Sequence, residues 1–317
     1  MSFARYVLRR LALAILSLVV ASALIFALLR LLPGDIAETK LGVGATPEAV
    51  AQLREDLGLD RPALVQYGEW LADAASGDLG KSLLSEVSVS SELVSKSRVT
   101  LPLVLSSAFL SLLLALPLGL IAALRHRRRD GTALSVTSQL GMAIPSFWVG
   151  VILITVFAVN RNVLPAGGFP EGGWAETSQA VRSLVLPVAT LTISQAAVLM
   201  RFARSSALET LQQDFLRTAR ATGLTRIQAL CIHGLRNSLI PVISVLGIQV
   251  STLIVGAIVV ESVFALPGIG QMLLQDVAIR DFNKVMGTLV VAMGVVFIVS
   301  FITDLIVGIL DPRTTKQ

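Results

Sequence analysis

One segment of the sequence carries the residues of a phosphate-binding loop. Residues 75–82 read Ala-Ser-Gly-Asp-Leu-Gly-Lys-Ser, a loosened form of the pattern that ends in Gly-Lys-Ser and wraps nucleotide phosphates with backbone N–H groups. That chemistry requires the loop to lie between a buried strand and a helix. No apolar run of strand length precedes the segment, and Ala75 stands where the first glycine is needed. We expect the match to be accidental.

Cys231 and His233 are close enough in sequence to suggest a metal site. They offer two ligands at most, too few for structural zinc, and a single cysteine cannot form an intramolecular disulfide. Neither His233 nor His126 lies in a long apolar stretch, and no Gly-x-Ser-x-Gly or His-Glu-x-x-His motif supplies a nucleophile or base. We therefore expect no catalytic residue, no metal and no cofactor held by the chain itself, which argues against an intramembrane hydrolase.

The composition is that of a membrane protein. Of 317 residues, 54% are hydrophobic and 15% are charged, whereas soluble domains have about 45–50% and about 25%. The mean hydropathy is +0.77. These values exclude a water-soluble enzyme, a disordered chain and a disulfide-stapled secreted module. The basic pI of about 9.9 is typical of the loops that fix membrane orientation, and we expect no nucleic-acid partner.

Six stretches are long and apolar enough to cross a bilayer, which takes about 20 residues per helix. Backbone polar groups must be paired within each span, so an all-α integral membrane protein is predicted. The first stretch is interpreted as an uncleaved signal anchor, and Pro117, Pro145 and Pro241 predict kinks. The predicted spans are residues 11–29, 101–124, 133–159, 183–200, 238–260 and 285–303, the last continuing to 310.

The orientation follows from the arginines and lysines in the loops. More than half of the 26 basic residues lie before the first span, in residues 125–129, in residues 201–237 or after the last span. Residues 33–98 instead carry eleven acidic against six basic residues. Because cytoplasmic loops are enriched in Lys and Arg, both termini and the two basic loops are predicted to be cytoplasmic.

The acidic segment of residues 33–98 predicts two short amphipathic helices. Thr46 is a potential N-cap followed by proline and glutamate, a typical helix start. Apolar residues then recur at helical spacing, first at Val50, Leu53 and Leu57 and, after Pro62, at Leu64, Tyr67 and Leu71. The helices lie either on the membrane surface or a partner, or against the protein's own spans; the sequence leaves both open.

Residues 201–237 are longer than a turn between two spans requires. Residues 209–222 contain no helix breaker, Gly223 is predicted to stop that helix, and Thr225 can cap a second one that runs to about Ser238. The result is a helix–turn–helix elbow with an apolar stripe of Phe215, Leu216 and Ala219 and with the charged residues Arg217 and Arg220. Such an elbow is suited to docking in a groove of another protein. The alternative is a basic loop that binds anionic lipid headgroups.

Several polar residues fall within the predicted spans or at their ends. They could line a pathway or serve as hydrogen-bonding contacts between helices, and the sequence does not separate these roles. Glu261 and Asp304, at the ends of spans, are either functional carboxylates or members of structural pairs. The other candidates for the pathway or a gate are Gln195, Gln249, Ser251, Thr252 and Phe264.

Short motifs give the chain a resemblance to a known family. Residues 214–224 (Asp-Phe-Leu-Arg-Thr-Ala-Arg-Ala-Thr-Gly-Leu) and 235–241 resemble the cytoplasmic signature loop of ATP-binding-cassette (ABC) importer permeases, in the B-type subunit of the dipeptide/oligopeptide/nickel branch. Thr218 replaces the glutamate of the broad signature, as is common in this branch. Further motifs that resemble the family occur at residues 32–35, 57–62, 77–80, 260–264, 266–270 and 311–313.

The resemblance implies a complex in the bacterial plasma membrane. Its members would be this chain, a C-type permease paralogue, two ABC ATPase domains that bind ATP and Mg²⁺, an extracytoplasmic binding protein and membrane lipid. The cargo would be peptides, nickel chelates or similar small solutes. A self-sufficient ion-coupled transporter is the alternative, but no inverted repeat and no charged residue at mid-span supports it.

The resemblance also implies a division of the chain and a set of coupling residues. The type I ABC importer permease fold would comprise residues 1–32 as tail and first span, 33–98 as the outer helical loop and 99–317 as the core, with 201–237 as the coupling loop. The residues implied in coupling to the ATPase are Asp214, Phe215, Leu216, Arg217, Ala219, Arg220, Gly223, Leu224 and Arg236.

Overall fold

The computed structural model describes residues 3–31, 36–42 and 44–310. Within these residues the chain is helical, apart from one isolated antiparallel bridge between Lys81 and Ser88. The chain divides into two compact units. The first contains Met1–Arg10, Thr100–Leu266 and Ile298–Gln317, and the second contains Leu11–Val99 and Pro267–Phe297. The motifs at residues 32–35 and 311–313 lie outside the described residues.

Thirteen α-helices are described in the resolved parts of the chain, together with three turns of other helical type. The helices are α1 Phe3–Leu31, α2 Ile36–Leu41, α3 Pro47–Asp56, α4 Ala63–Ala75, α5 Val89–Leu124, α6 Arg129–Ala143, α7 Ser146–Leu153, α8 Thr177–Leu211, α9 Asp214–Ala221, α10 Arg226–Ala229, α11 Leu235–Val263, α12 Ile269–Ala278 and α13 Phe282–Leu310. A π-helix, Ile154–Asn160, continues α7, and another, Leu230–Gly234, joins α10 to α11; a short 3₁₀-helix, Gly173–Glu176, precedes α8.

Five helical segments of the described chain are long and apolar enough to span a membrane, and a broken pair adds a sixth candidate. This confirms the all-α membrane prediction. The predicted third span is not one continuous helix, because α6 and α7 meet at 99°. Pro145 follows Ile144, whose backbone is extended at φ −87° and ψ 123°, as expected for a residue that precedes proline. Pro117 and Pro241 instead lie inside the continuous helices α5 and α11.

Small residues bring helices of the first unit close together. Ala115, Ala122 and Ala203 are buried in one cluster with Leu199, Met200 and Val242, which joins α5, α8 and α11. A Cβ atom added at Gly119 of α5 would lie 2.6 Å from the Ala203 Cβ of α8. Such close backbone approach through small residues is the usual packing mode of helices in a membrane.

In the second unit, the predicted amphipathic helices form as α3 and α4. Thr46 caps α3 by accepting a hydrogen bond of 3.3 Å from the Ala49 N–H. The Tyr67 hydroxyl of α4 lies 2.9 Å from Ser22 Oγ and donates to the Val19 carbonyl of α1 at 3.0 Å. For α4, therefore, the structure supports packing against one of the protein's own spans.

Candidate functional site

The predicted elbow forms, but its first helix has other bounds than expected. Residues 209–222 were predicted as one helix. In the structure α8 extends to Leu211, the helix is interrupted at Gln212 and Gln213, and α9 begins at Asp214. The Gln213 carbonyl accepts hydrogen bonds from the N–H groups of Leu216 and Arg217 and so starts the new helix. Asp214 in its first turn and Arg220 in its last both complement the helix dipole.

Two local signals that end α9 and start α10 are confirmed. Gly223 has φ +99°, and no atom lies within 4 Å of the position that its Cβ would occupy. Glycine is therefore favoured there by backbone conformation rather than by lack of space. Thr225 and Gln228 form a reciprocal capping box at the start of α10. The second helix does not end near Ser238, since α10 leads through the π-helix into α11.

Leu216 anchors α9 to its own chain. It is 1% exposed and packs in a cluster with the buried residues Ala229 and Leu230. Partly buried apolar side chains pack around these three residues, namely Leu120, Leu124, Leu211, Ala219 and Leu224. We call the whole cluster the elbow seat. Of the apolar residues implied in coupling, Leu216, Ala219 and Leu224 therefore contact their own chain in this structure, and Phe215 does not belong to the cluster. Leu216 is covered, and Ala219 and Leu224 are half-buried against the seat.

The aromatic and charged side chains of α9 are exposed. Phe215 has 39% of its surface accessible, and Asp214, Arg217 and Arg220 are also exposed. Arg217 lies 3.3 Å from the Asp214 carboxylate, an exposed pair of adjacent turns that contributes little to stability. Arg236, near the start of α11, is exposed as well. The elbow therefore exposes an aromatic ring and cationic side chains on a helix that Leu216 anchors to the elbow seat.

Among the predicted pathway residues, the two glutamines bind each other. The Gln249 side-chain amide donates to Gln195 Oε1 at 2.7 Å, and the Gln195 amide donates to the Gln249 carbonyl at 3.1 Å. Gln195 is buried. This is the helix–helix contact considered from the sequence, and it joins α8 to α11. Ser251 is half-buried and Thr252 is exposed.

Glu261 and Phe264 lie together at the end of α11. Glu261 is fully buried and accepts a 2.6 Å hydrogen bond from Thr100 Oγ1. The Leu266 N–H bonds to the Glu261 carbonyl at 2.8 Å and the Ala265 N–H to that of Ser262 at 3.3 Å, a Schellman arrangement. Ala265 takes the left-handed position, with φ +48°.

Phe264 is enclosed by glycines of two other segments. Its ring would lie 3.1 Å from a Cβ at Gly150, and its carbonyl oxygen would collide with a Cβ at Gly167. The Gly168 N–H donates to that same carbonyl at 2.8 Å. Phe264 thus holds the segment that precedes α8 close to the end of α11.

Asp304 forms a structural pair, one of the two roles considered for it. Arg10 of α1 lies 2.7 Å from its carboxylate within the first unit, and both side chains are partly exposed. Such a pair at a span end satisfies the carboxylate where full hydration is lost.

Sequence reasoning missed an ionic cluster in the second unit. Lys284 Nζ lies 2.8 Å from Asp276 and 3.0 Å from Glu92, and Lys284 and Asp276 are buried. Burial raises the pKa of the Asp276 carboxyl, while the hydrogen bond from Lys284 lowers it in part. Opposite charges at Asp276 and Lys284 amid apolar residues were the only signal in the sequence.

The phosphate-loop-like segment serves as a structural tie. Ser82 Oγ donates to the buried carboxylate of Asp281, and the Leu83 N–H reaches the same carboxylate at 3.4 Å. Asn283 donates to the Lys81 carbonyl at 3.1 Å. The segment therefore fastens the α4–α5 connection to the start of α13.

Comparison with known sequences gives two family matches. Residues 115–316 match the family described as binding-protein-dependent transport system inner membrane component. Residues 3–104 match the family of the N-terminal part of such membrane components.

Individual relatives extend over nearly the whole chain. A putative peptide transport system permease protein of Brucella abortus strain 2308 is 36% identical over 313 residues, covering 97% of this chain and 98% of the relative. The dipeptide transport system permease protein DppB of Escherichia coli K12 is 34% identical over 333 residues, covering 98% of each. Among solved structures, the MetNI methionine ABC transporter in an inward-facing conformation matches with a TM-score of 0.56 and 20% identity, over 69% of this chain and 96% of that chain.

Proposed function

Because the chain belongs to the family of inner membrane components of binding-protein-dependent transport systems, we propose that it forms one half of the translocation pathway of an ATP-driven importer. Its fold is that of an ABC importer permease. Relatives are named for peptide and dipeptide transport, so peptides or similar small solutes are the proposed cargo. The chain is a multi-pass transport permease and is not itself an enzyme.

ATP and Mg²⁺ are bound by separate ABC ATPase subunits in this proposal, so energy enters the chain through a protein contact. The observation that carries it is the position of α9. Leu216 fixes one face of the helix in the elbow seat, while Phe215 and Arg217 remain exposed to either side of it. Arg220, one turn beyond Leu216, is exposed as well. A short helix with one fixed and one free face is suited to docking in a groove of a partner.

Movement of the elbow is transmitted through the helices to which it is joined. Gln212 and Gln213 connect α9 directly to α8, and Gly223 connects it to α10 and so to α11. The Gln195–Gln249 pair and the apolar cluster hold α8 and α11 together. A partner that pulls on α9 therefore moves both spans as one body, which is the rigid-body type of conformational change.

The pathway itself is proposed to run beside α11. Ser251 and Thr252 lie at mid-helix, and Glu261 and Phe264 lie at the end that faces away from the elbow. The enclosed ring of Phe264 and the buried Glu261 carboxylate would form a gate at that end. The Gln195–Gln249 pair is assigned to helix packing.

The orientation and the other partners complete the proposal. We propose that both termini, the 125–129 loop and the elbow are cytoplasmic, which the distribution of arginines supports. The outer loop that contains α3 and α4 would then be available to an extracytoplasmic binding protein. A C-type permease paralogue would supply the other half of the pathway.

Uptake by the purified complex in proteoliposomes tests the proposal. The chain is co-expressed with its proposed partners, and radiolabelled dipeptide uptake is measured with ATP on the elbow side, with the binding protein on the other side, and with an uncoupler. We expect uptake that requires ATP and the binding protein and is insensitive to the uncoupler. Uptake by the chain alone that follows an ion gradient would instead support a secondary transporter.

A further inference from the structure

A basic cavity lies beside the elbow in the first unit. It has a volume of about 470 Å³, and its walls include four arginines: Arg125, Arg127 and Arg128 of the α5–α6 connection, and Arg226 at the start of α10. Ile121 in the last turns of α5 and Ile227 of α10 also line it. The cavity is therefore formed by two segments that are about a hundred residues apart in sequence.

The positive charge of this cavity is mostly uncompensated. Arg125 lies 2.6 Å from Asp130. Across residues 3–31, 36–42 and 44–310, no carboxylate is within ion-pair distance of Arg127, Arg128 or Arg226. Guanidinium groups that face one cavity repel each other, and a bound anion removes that repulsion. Guanidinium also matches the geometry of phosphate oxygens and can donate two parallel hydrogen bonds.

The apolar rim distinguishes the ligand from a free anion. Ile121 lies at the end of a membrane span, and Ile227 has 59% of its surface exposed. The arginines suit the phosphate of a lipid and the isoleucines suit its acyl chains. Both groups lie where a span ends, which is the level of the lipid headgroups. A soluble phosphate would use the arginines and leave the isoleucines in water.

We propose that this cavity binds an anionic phospholipid. Arg127, Arg128 and Arg226 donate hydrogen bonds to the phosphodiester, and Ile121 and Ile227 contact the first carbons of the acyl chains. Basic pockets beside membrane helices bind anionic headgroups by this chemistry. The cavity is formed by this chain alone, so lipid binding there does not depend on the proposed transport mechanism.

Occupancy would also support the elbow. Leu124 lines the cavity and packs against the elbow seat, and Arg226 is the first residue of α10, which contributes Ala229 to the same seat. The lipid would therefore link α5 to α10 beside the elbow seat.

Lipid binding by the purified complex tests the proposal. Native mass spectrometry counts phosphatidylglycerol and phosphatidylcholine bound to the wild type, to the Arg128→Gln/Arg226→Gln variant and to a control, Arg5→Gln/Arg9→Gln, which removes two exposed arginines elsewhere. We expect phosphatidylglycerol to be preferred, with its affinity lowered ~30-fold in the first variant and little changed in the control. Equal losses in both variants, or none in the first, would overturn the proposal.

Four further measurements keep the result interpretable. Thermal midpoints in phosphatidylcholine are expected to be equal for all variants, and Arg128→Lys/Arg226→Lys should retain part of the affinity if the first variant is unstable. Ile227→Ser should weaken phosphatidylglycerol binding; a site that takes inorganic phosphate as well as the lipid, unaffected by Ile227→Ser, is a free-anion site. The complex should bind the lipid as the chain purified without ATPase subunits does; lipid bound only in the absence of those subunits would assign the surface to a protein partner instead. Either of the last two outcomes contradicts the lipid assignment.

Discussion

The side-chain amide of Gln249 donates a 2.7 Å hydrogen bond to Gln195, and in return Gln195 donates to the Gln249 backbone. This reciprocal pair joins α8 and α11, the two spans that connect directly or through α10 to the elbow. In a membrane such polar contacts contribute about 0.6 kcal/mol on average and up to about 1.7 kcal/mol. The pair is thus a structural contact at the centre of the proposed moving body.

Substitutions of Gln195 and Gln249 can show whether these side chains serve helix packing or bind solute. Gln249→Leu leaves the buried Gln195 without a side-chain partner and should destabilise the protein by about 1–3 kcal/mol. Gln195→Leu/Gln249→Leu should recover most of that loss, because no polar group is left unpaired. Thermal midpoints measure the first effect, and dipeptide uptake measures function. A stable double variant without uptake would place the glutamines in the pathway.

The two faces of α9 should respond differently to truncation. Leu216→Ala removes a buried side chain from the elbow seat and should cost about 2–4 kcal/mol. Phe215→Ala removes an exposed ring and should leave the thermal midpoint nearly unchanged, yet reduce ATP-driven uptake and ATPase association. Equal loss of stability in both variants, or full transport by Phe215→Ala, would contradict the separation of a fixed face from a docking face.

The conformation of Gly223 predicts a graded series. At φ +99° alanine should cost about 1–2 kcal/mol, and asparagine should be tolerated better. Since space is open around this position, any loss must arise from the backbone and not from a collision. Thermal midpoints should therefore follow the order glycine, asparagine, alanine. A variant in which alanine equals glycine would indicate another conformation for this turn.

Ala265 offers a substitution of opposite sign. It occupies the left-handed position of a Schellman end with φ +48°, so Ala265→Gly should stabilise the protein by about 1 kcal/mol. Gly167→Ala serves as the contrast, because its Cβ would collide with the Phe264 carbonyl. We expect the thermal midpoint to rise in the first variant and fall in the second. A fall in both would show that the Ala265 conformation is different in solution.

Burial of Asp276 predicts a pH dependence of stability. The pKa of its carboxyl is raised above the ordinary 3.8, so the folded chain holds this proton to higher pH than the unfolded chain does. Protonation of Asp276 therefore stabilises the folded chain fully below the ordinary pKa of 3.8. This stabilisation is lost as the pH rises through the raised pKa of the folded chain. Asp276→Asn cannot titrate there.

Comparing the wild type with Asp276→Asn over a range of pH gives the direction in which Asp276 changes the stability. The thermal midpoint of the wild type, relative to that of Asp276→Asn, should fall as pH rises from about 4. A relative midpoint that increases with pH would mean that pairing with Lys284 outweighs the desolvation of the carboxylate.

Local signals were sufficient to predict much of the fold and part of the elbow. The spans follow from uninterrupted apolar stretches, and Thr225 and Gly223 each act within three residues of their position. Pro145 predicted a kink because it restricts the residue before it. The size of that bend, 99°, depends on packing and could not be inferred from one proline.

Features that depend on distant parts of the chain could not be predicted. The apolar stripe on α9 gives no sign that Leu216 faces its own protein, because its neighbours Leu120 and Leu230 come from other helices. The Lys284 cluster likewise joins a helix end to Glu92, almost two hundred residues earlier. Only a fold that brings these segments together reveals the contact.

The segment Arg226–Val263 is continuous through its π-helical turn and comprises 38 residues, a length of ~57 Å at 1.5 Å per residue. One of its ends is the capping box of Thr225 and the other is Glu261 with the enclosed Phe264. A displacement imposed at the first end can therefore be carried along one helical segment to the second. The wider π turn at residues 230–234 is the place where such a rod can gain or lose twist. In the proposed transporter, the docking end and the gate end would then respond together even before any solute is bound.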